Sequence, residues 1–338
     1  MSALRFGSKT DSNITFWLWG LFILILAMIM LGGATRLTHA GLSIVEWKPI
    51  TGIIPPLSLS DWILEFENYQ KTPEYLLINK GMSLSAFKSI FWMEYSHRLL
   101  GRFIGLYVLF PMIIFWAQNK LTSHLKVTCL LLLFLIGFQG FLGWYMVKSG
   151  LTHDPMVSPF RLSIHLLMAF ALIALTLNAI YRLNAIPHEL IEGRASGWSI
   201  ANLFLVIITI FYGALVAGHK AGLIYNTFPL MEGQWLPSEW NHIKPFWRNF
   251  FDNHATVQFV HRLLAILVFS SACFGVWKQK ISPWYGLAVL GQLLLGIVTL
   301  LHNVPLVLGT LHQGWAVVVF SMAFWCYRAR KSYKDSTF

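Results

Sequence analysis

The chain alternates long apolar stretches with shorter polar segments. Eight of the apolar stretches are about 20 residues long, which is the length an α-helix needs to cross the hydrocarbon of a bilayer. They cover about 14–35, 96–117, 125–147, 162–181, 199–218, 257–277, 284–302 and 306–327. The pattern predicts an all-α integral membrane protein with eight transmembrane helices. The loop 36–95 is long enough to hold short helices of its own.

The composition agrees with this interpretation. Of the 338 residues, 56% are hydrophobic and only 12% are charged, whereas soluble domains have about 25% charged residues. The net charge of +11 would suggest nucleic acid in a soluble protein. Here the basic residues lie mostly at segment ends, where anionic lipid headgroups account for them. We therefore expect contact with membrane lipid and no nucleic-acid partner.

The basic residues also predict the orientation. By the positive-inside rule, the side that carries them is cytoplasmic, so both termini lie inside and the long loops 36–95 and 219–256 lie outside. The residues concerned are Arg5, Lys9, Lys120, Lys126, Arg182, Arg194, Lys278, Lys280, Arg328, Arg330, Lys331 and Lys334. The short polar lead before the first span has neither signal-peptide nor transit-peptide features, which favours a bacterial inner (cytoplasmic) membrane.

An internal repeat predicts the architecture. The string Ala-Gly-Leu follows span 1 at residues 40–42 and span 5 at residues 221–223, and His-Arg-Leu-Leu recurs in spans 2 and 6. Each half has an even number of spans, so the two halves share one orientation and form a parallel repeat. We expect two four-helix bundles side by side, formed by residues 1–190 and 191–338.

Four histidines are the candidate ligands. His97 and His261 belong to the repeated motif and are predicted in the first turn of spans 2 and 6, whereas His165 and His312 lie near the starts of spans 4 and 8. All four are then at similar depth near the outer face. Histidines are costly to bury in hydrocarbon, and two equivalent pairs are what two bis-imidazole haem sites need. A hydrogen bond to a neighbouring helix would explain a single histidine, but explains a duplicated set poorly. Zinc would need further ligands that are missing.

Arginines follow two of these histidines. Arg98 and Arg262 could pair with haem propionates, because a planar guanidinium suits carboxylates. The alternative is that they extend to the membrane interface, as arginines at span ends commonly do.

The two halves differ at one position of the motif. Glu94 precedes His97 by three residues, and Gln258 occupies the same place before His261. Residues three apart on a helix share a face, so Glu94 should lie beside the haem that His97 binds. We interpret this as a division of labour, in which the first site reacts and the second passes electrons. A solvated glutamate at the interface is the alternative.

Long strings carry a resemblance to a known family. They are Gly32-Gly-Ala-Thr-Arg-Leu-Thr38, Ala40-Gly-Leu-Ser43, Glu46-Trp-Lys-Pro-Ile-Thr-Gly52, Glu94-Tyr-Ser-His-Arg98, Ala221-Gly-Leu-Ile-Tyr-Asn-Thr-Phe-Pro-Leu-Met231, Asn249-Phe-Phe-Asp-Asn253 and Gln258-Phe-Val-His-Arg262. Across nearly its whole length, the chain resembles haem A synthases of proteobacteria and mitochondria. Some relatives have a cysteine pair in the first outer loop, which this chain lacks between residues 36 and 95.

The resemblance implies an oxidoreductase that converts the C8 methyl group of haem O to a formyl group. It implies haem b as cofactor, haem O as substrate and Glu94 as the catalytic residue. Substrate haem would lie between His97 and His165, and haem b between His261 and His312. Haem O synthase and terminal-oxidase assembly factors are the implied protein partners, and a homo-oligomer is compatible with the sequence.

Two other functions remain open at this point. A di-haem cytochrome b that only transfers electrons would also use two histidine pairs, although such carriers commonly stack their haems across the bilayer. A membrane protein that handles haem without catalysis would not need the difference between Glu94 and Gln258.

Overall fold

The structure is a computed structural model, and it describes residues 9–152, 155–183 and 197–335. Within these ranges the protein is helical and has no β-strand beyond one isolated bridge between Met231 and Gln234. The α-helices are α1 (Lys9–Leu37), α2 (Leu59–Gln70), α3 (Pro73–Leu77), α4 (Leu84–Ala117), α5 (Ser123–Gly150), α6 (Pro159–Arg182), α7 (Gly197–Gly218), α8 (Asn249–Asp252), α9 (His254–Trp277), α10 (Pro283–Leu301) and α11 (Leu306–Asp335).

Eight of these helices are long and apolar enough to cross a membrane, namely α1, α4, α5, α6, α7, α9, α10 and α11. The predicted all-α membrane fold with eight spans is therefore confirmed. The break predicted at the proline after span 7 is also present, because α10 ends at Leu301 and α11 begins at Leu306.

The predicted start of span 2 was wrong. Helix α4 begins at Leu84, where Ser83 caps it by accepting a hydrogen bond from the amide of Ala86 at 3.2 Å. His97 consequently lies about three to four turns into the helix, and not in its first turn. His261 is also past the first turn of α9, which begins at His254.

The extra turns of α4 support the segment between α1 and α4. Phe87 and Phe91 are buried on α4 against an aromatic cluster that includes Trp62 and Tyr69 of α2. Helix α2 starts with a capping box, in which Ser58 and Asp61 bond each other's backbone amides. The short helices expected in this loop are thus present, and they lie over the beginning of α4.

The membrane helices pack as two closed rings. In the first half, α1 packs on α4, α4 on α5, α5 on α6 and α6 on α1, and the second half repeats this with α7, α9, α10 and α11. The halves meet through α6 with α7, α1 with α11, and α6 with α11. These contacts agree with a parallel repeat. The repeat itself and the boundary near residue 190, which falls outside the described residues, remain predictions.

Candidate functional site

A large cavity lies between the helices of both halves. Its volume is about 1180 Å³, more than the roughly 300–1,000 Å³ of a typical pocket for one ligand. Its lining includes all four of the predicted histidines, His97, His165, His261 and His312. The sequence predicted two sites, and the structure joins them in one cavity that crosses the interface between the halves.

The first histidine pair faces across the first bundle. His97 comes from α4 and His165 from α6, which occupy diagonal positions in the ring. Each imidazole packs against a glycine of another helix in the same bundle. A Cβ at Gly32 of α1 would lie 3.2 Å from His97 Nε2, and one at Gly143 of α5 would lie 3.3 Å from His165 Cε1. Because glycine has no side chain, these two positions leave space for the imidazoles.

The second pair repeats this arrangement. His261 of α9 packs against Gly213 of α7, where a Cβ would lie 3.1 Å from the histidine Cε1. His312 of α11 packs against Gly296 of α10, where the same distance would be 2.8 Å. Gly32 and Gly213 precede the two Ala-Gly-Leu strings by the same number of residues, so the same glycine contact recurs in both halves.

The histidines fit the ligand set of a haem. The Nδ1 atoms of His165 and His312 are buried and have no hydrogen-bond partner, and buried polar atoms normally have one. Both histidines of each pair line the same cavity. Among the residues that the structure describes, no three His, Cys, Asp or Glu side chains cluster as ligands of a bare metal ion.

Two glutamines that the sequence analysis missed support the second histidine of each pair. Gln139 Nε2 donates to the backbone oxygen of His165 at 2.9 Å, and Gln292 Nε2 donates to that of His312 at 3.1 Å. Each glutamine precedes the glycine under its histidine by four residues, so both lie on one helix face. The repeated Gln-x-x-x-Gly spacing was the signal that could have identified them.

Glu94 lies at the first site and is buried, with 3% of its surface exposed. The alternative of a solvated glutamate is therefore wrong. One carboxylate oxygen accepts from the Ser43 hydroxyl at 2.7 Å and the Ile44 amide at 2.9 Å. The other accepts from Arg98 Nη2 at 2.6 Å and Nε at 3.0 Å. Glu94 also lines the cavity, as its spacing from His97 predicted.

The two arginines bond to backbone oxygens in the loops that follow α1 and α7. Arg98 donates to the backbone oxygens of Ile44 at 2.7 Å and Glu46 at 3.1 Å. Arg262 donates to those of Tyr225 and Thr227, both at 2.8 Å. These carbonyls correspond in the repeat, because they follow Ala40 and Ala221 by the same numbers of residues. From the sequence we expected these arginines either to bind haem propionates or to extend to the membrane interface, and the contacts with the loops were not predicted. Both arginines also line the cavity.

Gln258 occupies the place of Glu94 in the second half. It is buried, and its Nε2 donates to the backbone oxygen of Tyr225 at 3.0 Å, while its Oε1 has no partner. The second site therefore has an arginine in the equivalent position but no carboxylate beside it. The electrostatic difference predicted from the sequence is present at two otherwise similar sites.

These features define a multi-pass, all-α membrane protein with two histidine pairs facing one large cavity. The model of the cytochrome oxidase assembly protein family matches residues 15–324, and the chain belongs to that family. Similar proteins named heme A synthase occur in Brucella anthropi, with 45% identity over 96% of this chain and 94% of the relative, and in Brucella ovis, with 44% identity over 96% and 94%. Another from Brucella abortus has the same 44% identity and coverage.

Proposed function

We propose that this chain is a haem A synthase, an oxidoreductase that converts the C8 methyl group of haem O to a formyl group. The observation that carries the proposal is the buried Glu94 carboxylate beside one of two otherwise matched histidine pairs. The relatives named heme A synthase, which align over nearly the full length of the chain, support it.

The presence of Glu94 at only one histidine pair decides which haem we assign to each pair. His261 and His312 would hold haem b in the second half, and His97 and His165 would hold haem O next to Glu94. Bound haem b supplies one-electron redox chemistry that no protein side chain here provides. Both pairs open into one cavity, so the second site would be the acceptor for electrons that leave the first.

Glu94 would act on charge at the substrate. A carboxylate in a low-dielectric site stabilises positive charge that develops as a neighbouring group is oxidised. Accepting the released proton is the second chemical role open to it. Because donors already engage both of its oxygens, the geometry favours the electrostatic role.

The outer loop would position this carboxylate and exclude water from it. Ser43 is fully buried, and Arg98 fixes the segment from Ile44 to Glu46 through two backbone oxygens. Arg98 also forms an ion pair with Glu94, so one side chain holds both the loop and the carboxylate in place beside the cavity.

The protein would act in a bacterial inner membrane, with both termini in the cytoplasm and the histidine pairs near the outer face. Haem O synthase would deliver the substrate, and terminal-oxidase assembly factors would receive the product. A cysteine at position 124, in the first turn of α5, should resist an impermeant thiol reagent in intact cells, whereas one at position 80 in the outer loop should react. Labelling of position 124 from outside the cell would show that the predicted orientation of the protein is inverted.

Identifying the porphyrins in the purified protein tests the proposed reaction. We expect haem b together with haem O or its formyl product, and conversion of added haem O when an electron acceptor is present. Haem b alone, at two per chain and without conversion, would instead show a di-haem electron carrier.

A further inference from the structure

The segment between α1 and α2 lies along one face of α4. Three side chains of that face donate hydrogen bonds to its backbone oxygens, at the helical spacing i, i+3 and i+7, and they are Tyr95, Arg98 and Arg102. Tyr95 donates to the oxygen of Ile53 at 2.6 Å. Arg102 donates to the oxygens of Lys48 at 2.9 Å and Pro49 at 3.0 Å. The segment is therefore bound to α4 over about two turns of the helix.

The depth of these contacts in the bilayer follows from the length of α4. A membrane-spanning helix needs about 20 apolar residues, and α4 ends at Ala117. Counted back from that end, the hydrocarbon begins near Arg98. Arg102 lies about one turn further into the helix, so the backbone that it binds is level with the edge of the hydrocarbon.

The backbone of this segment suits an environment without water. Unpaired N–H and C=O groups are costly in lipid, and several of the carbonyls here accept from α4. The amides of residues 52–54 donate to backbone oxygens within the short 3-10 turn at Thr51–Ile53, at 3.1 to 3.3 Å. Three further positions have no N–H that needs a partner, because they are the prolines Pro49, Pro55 and Pro56.

The side chains of the same segment are apolar and exposed. Residues 49–57 contain no charged side chain, and Ile50, Ile54 and Leu57 are 83%, 65% and 79% exposed. Phe103 of α4, which follows Arg102 directly, is also exposed. The apolar surface of the segment therefore continues the lipid-facing surface of α4, and contiguous patches of this kind mark sites of protein or membrane contact.

Two of the three contacts with α4 are confined to the half that carries Glu94. Aligned on the histidine motif, Tyr95 corresponds to Phe259 and Arg102 to Ile266. Neither of these second-half residues has a side-chain hydrogen-bond donor. The second half therefore cannot bind its loop to the helix in the same way at this depth.

We propose that residues 48–57, which we call the interfacial turn, insert into the adjacent leaflet of the bilayer and contact lipid. The depth set by Arg102 and the paired backbone favour lipid over a protein partner as the occupant of this surface. The turn follows Ser43 and Ile44, which both donate to the Glu94 carboxylate. The bilayer thus anchors the segment that positions Glu94, and this holds whatever reaction the protein catalyses.

Collision measurements on nitroxide labels test the proposal. Ile54→Cys and Leu57→Cys are labelled separately in the full-length protein, with the exposed Cys273 replaced by alanine. The protein is reconstituted in vesicles of phosphatidylethanolamine and phosphatidylglycerol. Electron paramagnetic resonance then compares collisions with oxygen, which concentrates in lipid, and with a water-soluble nickel chelate.

Two labelled positions serve as matched controls. Phe110→Cys on α4 should report lipid, since Phe110 is exposed on the membrane-spanning part of the helix, and this reading shows that the protein is folded and inserted. Leu77→Cys on α3 should report water, because Leu77 is exposed in the segment that lies over the beginning of α4. We expect the ratio of oxygen to nickel collisions at positions 54 and 57 to exceed that at 77 at least tenfold.

The two reagents also distinguish the other possible occupants. Nickel collisions at positions 54 and 57 as frequent as at 77 would overturn the proposal, because the turn would then lie in water. Few collisions with either reagent would overturn it as well, since protein and not lipid would then cover the turn.

Discussion

The Glu94 carboxylate accepts two hydrogen bonds from the Arg98 guanidinium, at 2.6 and 3.0 Å. In the second half, Gln258 and Arg262 do not pair with each other but both donate to the backbone oxygen of Tyr225. Both arginines hold the loop above their site, so loop position is conserved between the halves. What differs is one buried negative charge, and we assign the reaction to the half that has it.

Replacing Glu94 with glutamine should abolish most of the haem A yield. Electrostatic stabilisation by one preorganised group is typically worth a hundredfold or more in rate, and an amide does not supply the charge. The glutamine can also accept at only one of its two ends, so either Arg98 or the Ser43–Ile44 pair loses its acceptor. We expect the variant to retain haem b and to accumulate unreacted haem O, measured by chromatography of the extracted porphyrins.

Ser43→Ala separates the two effects of that substitution. It removes the 2.7 Å hydrogen bond to Glu94 but keeps the charge and the pair with Arg98. We expect its haem A yield to stay within a few-fold of wild type. If Ser43→Ala loses as much product as Glu94→Gln, the glutamate acts through loop position and not through its charge.

The glycine under His312 should not tolerate a methyl group. A Cβ at Gly296 would lie 2.8 Å from the His312 ring, so Gly296→Ala must displace the imidazole. We expect loss or a clear shift of the low-spin spectrum of the resident haem. Gly197→Ala is the control, since a Cβ there meets nothing within 4 Å, and it should leave the spectrum unchanged. An unaltered spectrum in Gly296→Ala would show that this contact does not position the ligand.

The segment between α1 and α4 contains an acid, Glu74, whose ionisation opposes folding. Burial raises the pKa of Glu74 from 4.5 to about 7, although the Tyr69 hydroxyl partly counteracts this by donating to the carboxyl group. The unfolded carboxyl group ionises first as pH rises, so stability is lost between about pH 4.5 and 7. We expect Glu74→Gln to remove that loss, making the variant more stable than wild type at pH 8 in thermal unfolding.

Asp61 provides a control of opposite sign. Hydrogen bonds from the Ser58 amide, the Ser58 hydroxyl and the Leu57 amide lower the pKa of its carboxyl group. Its contribution is therefore present at neutral pH and is lost as pH falls through the lowered pKa. Asp61→Asn should destabilise the protein slightly at pH 8 and not at low pH. The same pH trend in both variants would contradict the assignment to Glu74.

Hydropathy predicted the spans well because a helix surrounded by lipid needs a long run of apolar residues. It placed the start of α4 too late, since the turns from Leu84 to Tyr95 leave the apolar run and are stabilised by aromatic packing on α2. Such packing depends on residues that are distant in sequence, so it cannot be predicted from periodicity or composition.

The candidate site was predictable only where it was duplicated. The repeat identified His97, His261 and the difference between Glu94 and Gln258, because each has a counterpart in a matching string. The loop contacts of Arg98 require coordinates, since they join a helix to backbone oxygens about 50 residues away. Gln139 was overlooked because a glutamine within an apolar run has no distinctive chemistry until its neighbour is known.

We propose that the two histidine pairs hold different haems, and spectra of single variants of the purified protein test this assignment. The measurement compares the resident low-spin haem in His261→Ala and His312→Ala with that in His97→Ala and His165→Ala. We expect either second-half variant to lose the resident haem b, whereas the first-half variants should keep it and lose haem O binding and haem A production. Retention of the full haem b spectrum in both second-half variants would contradict the division of labour between the two halves.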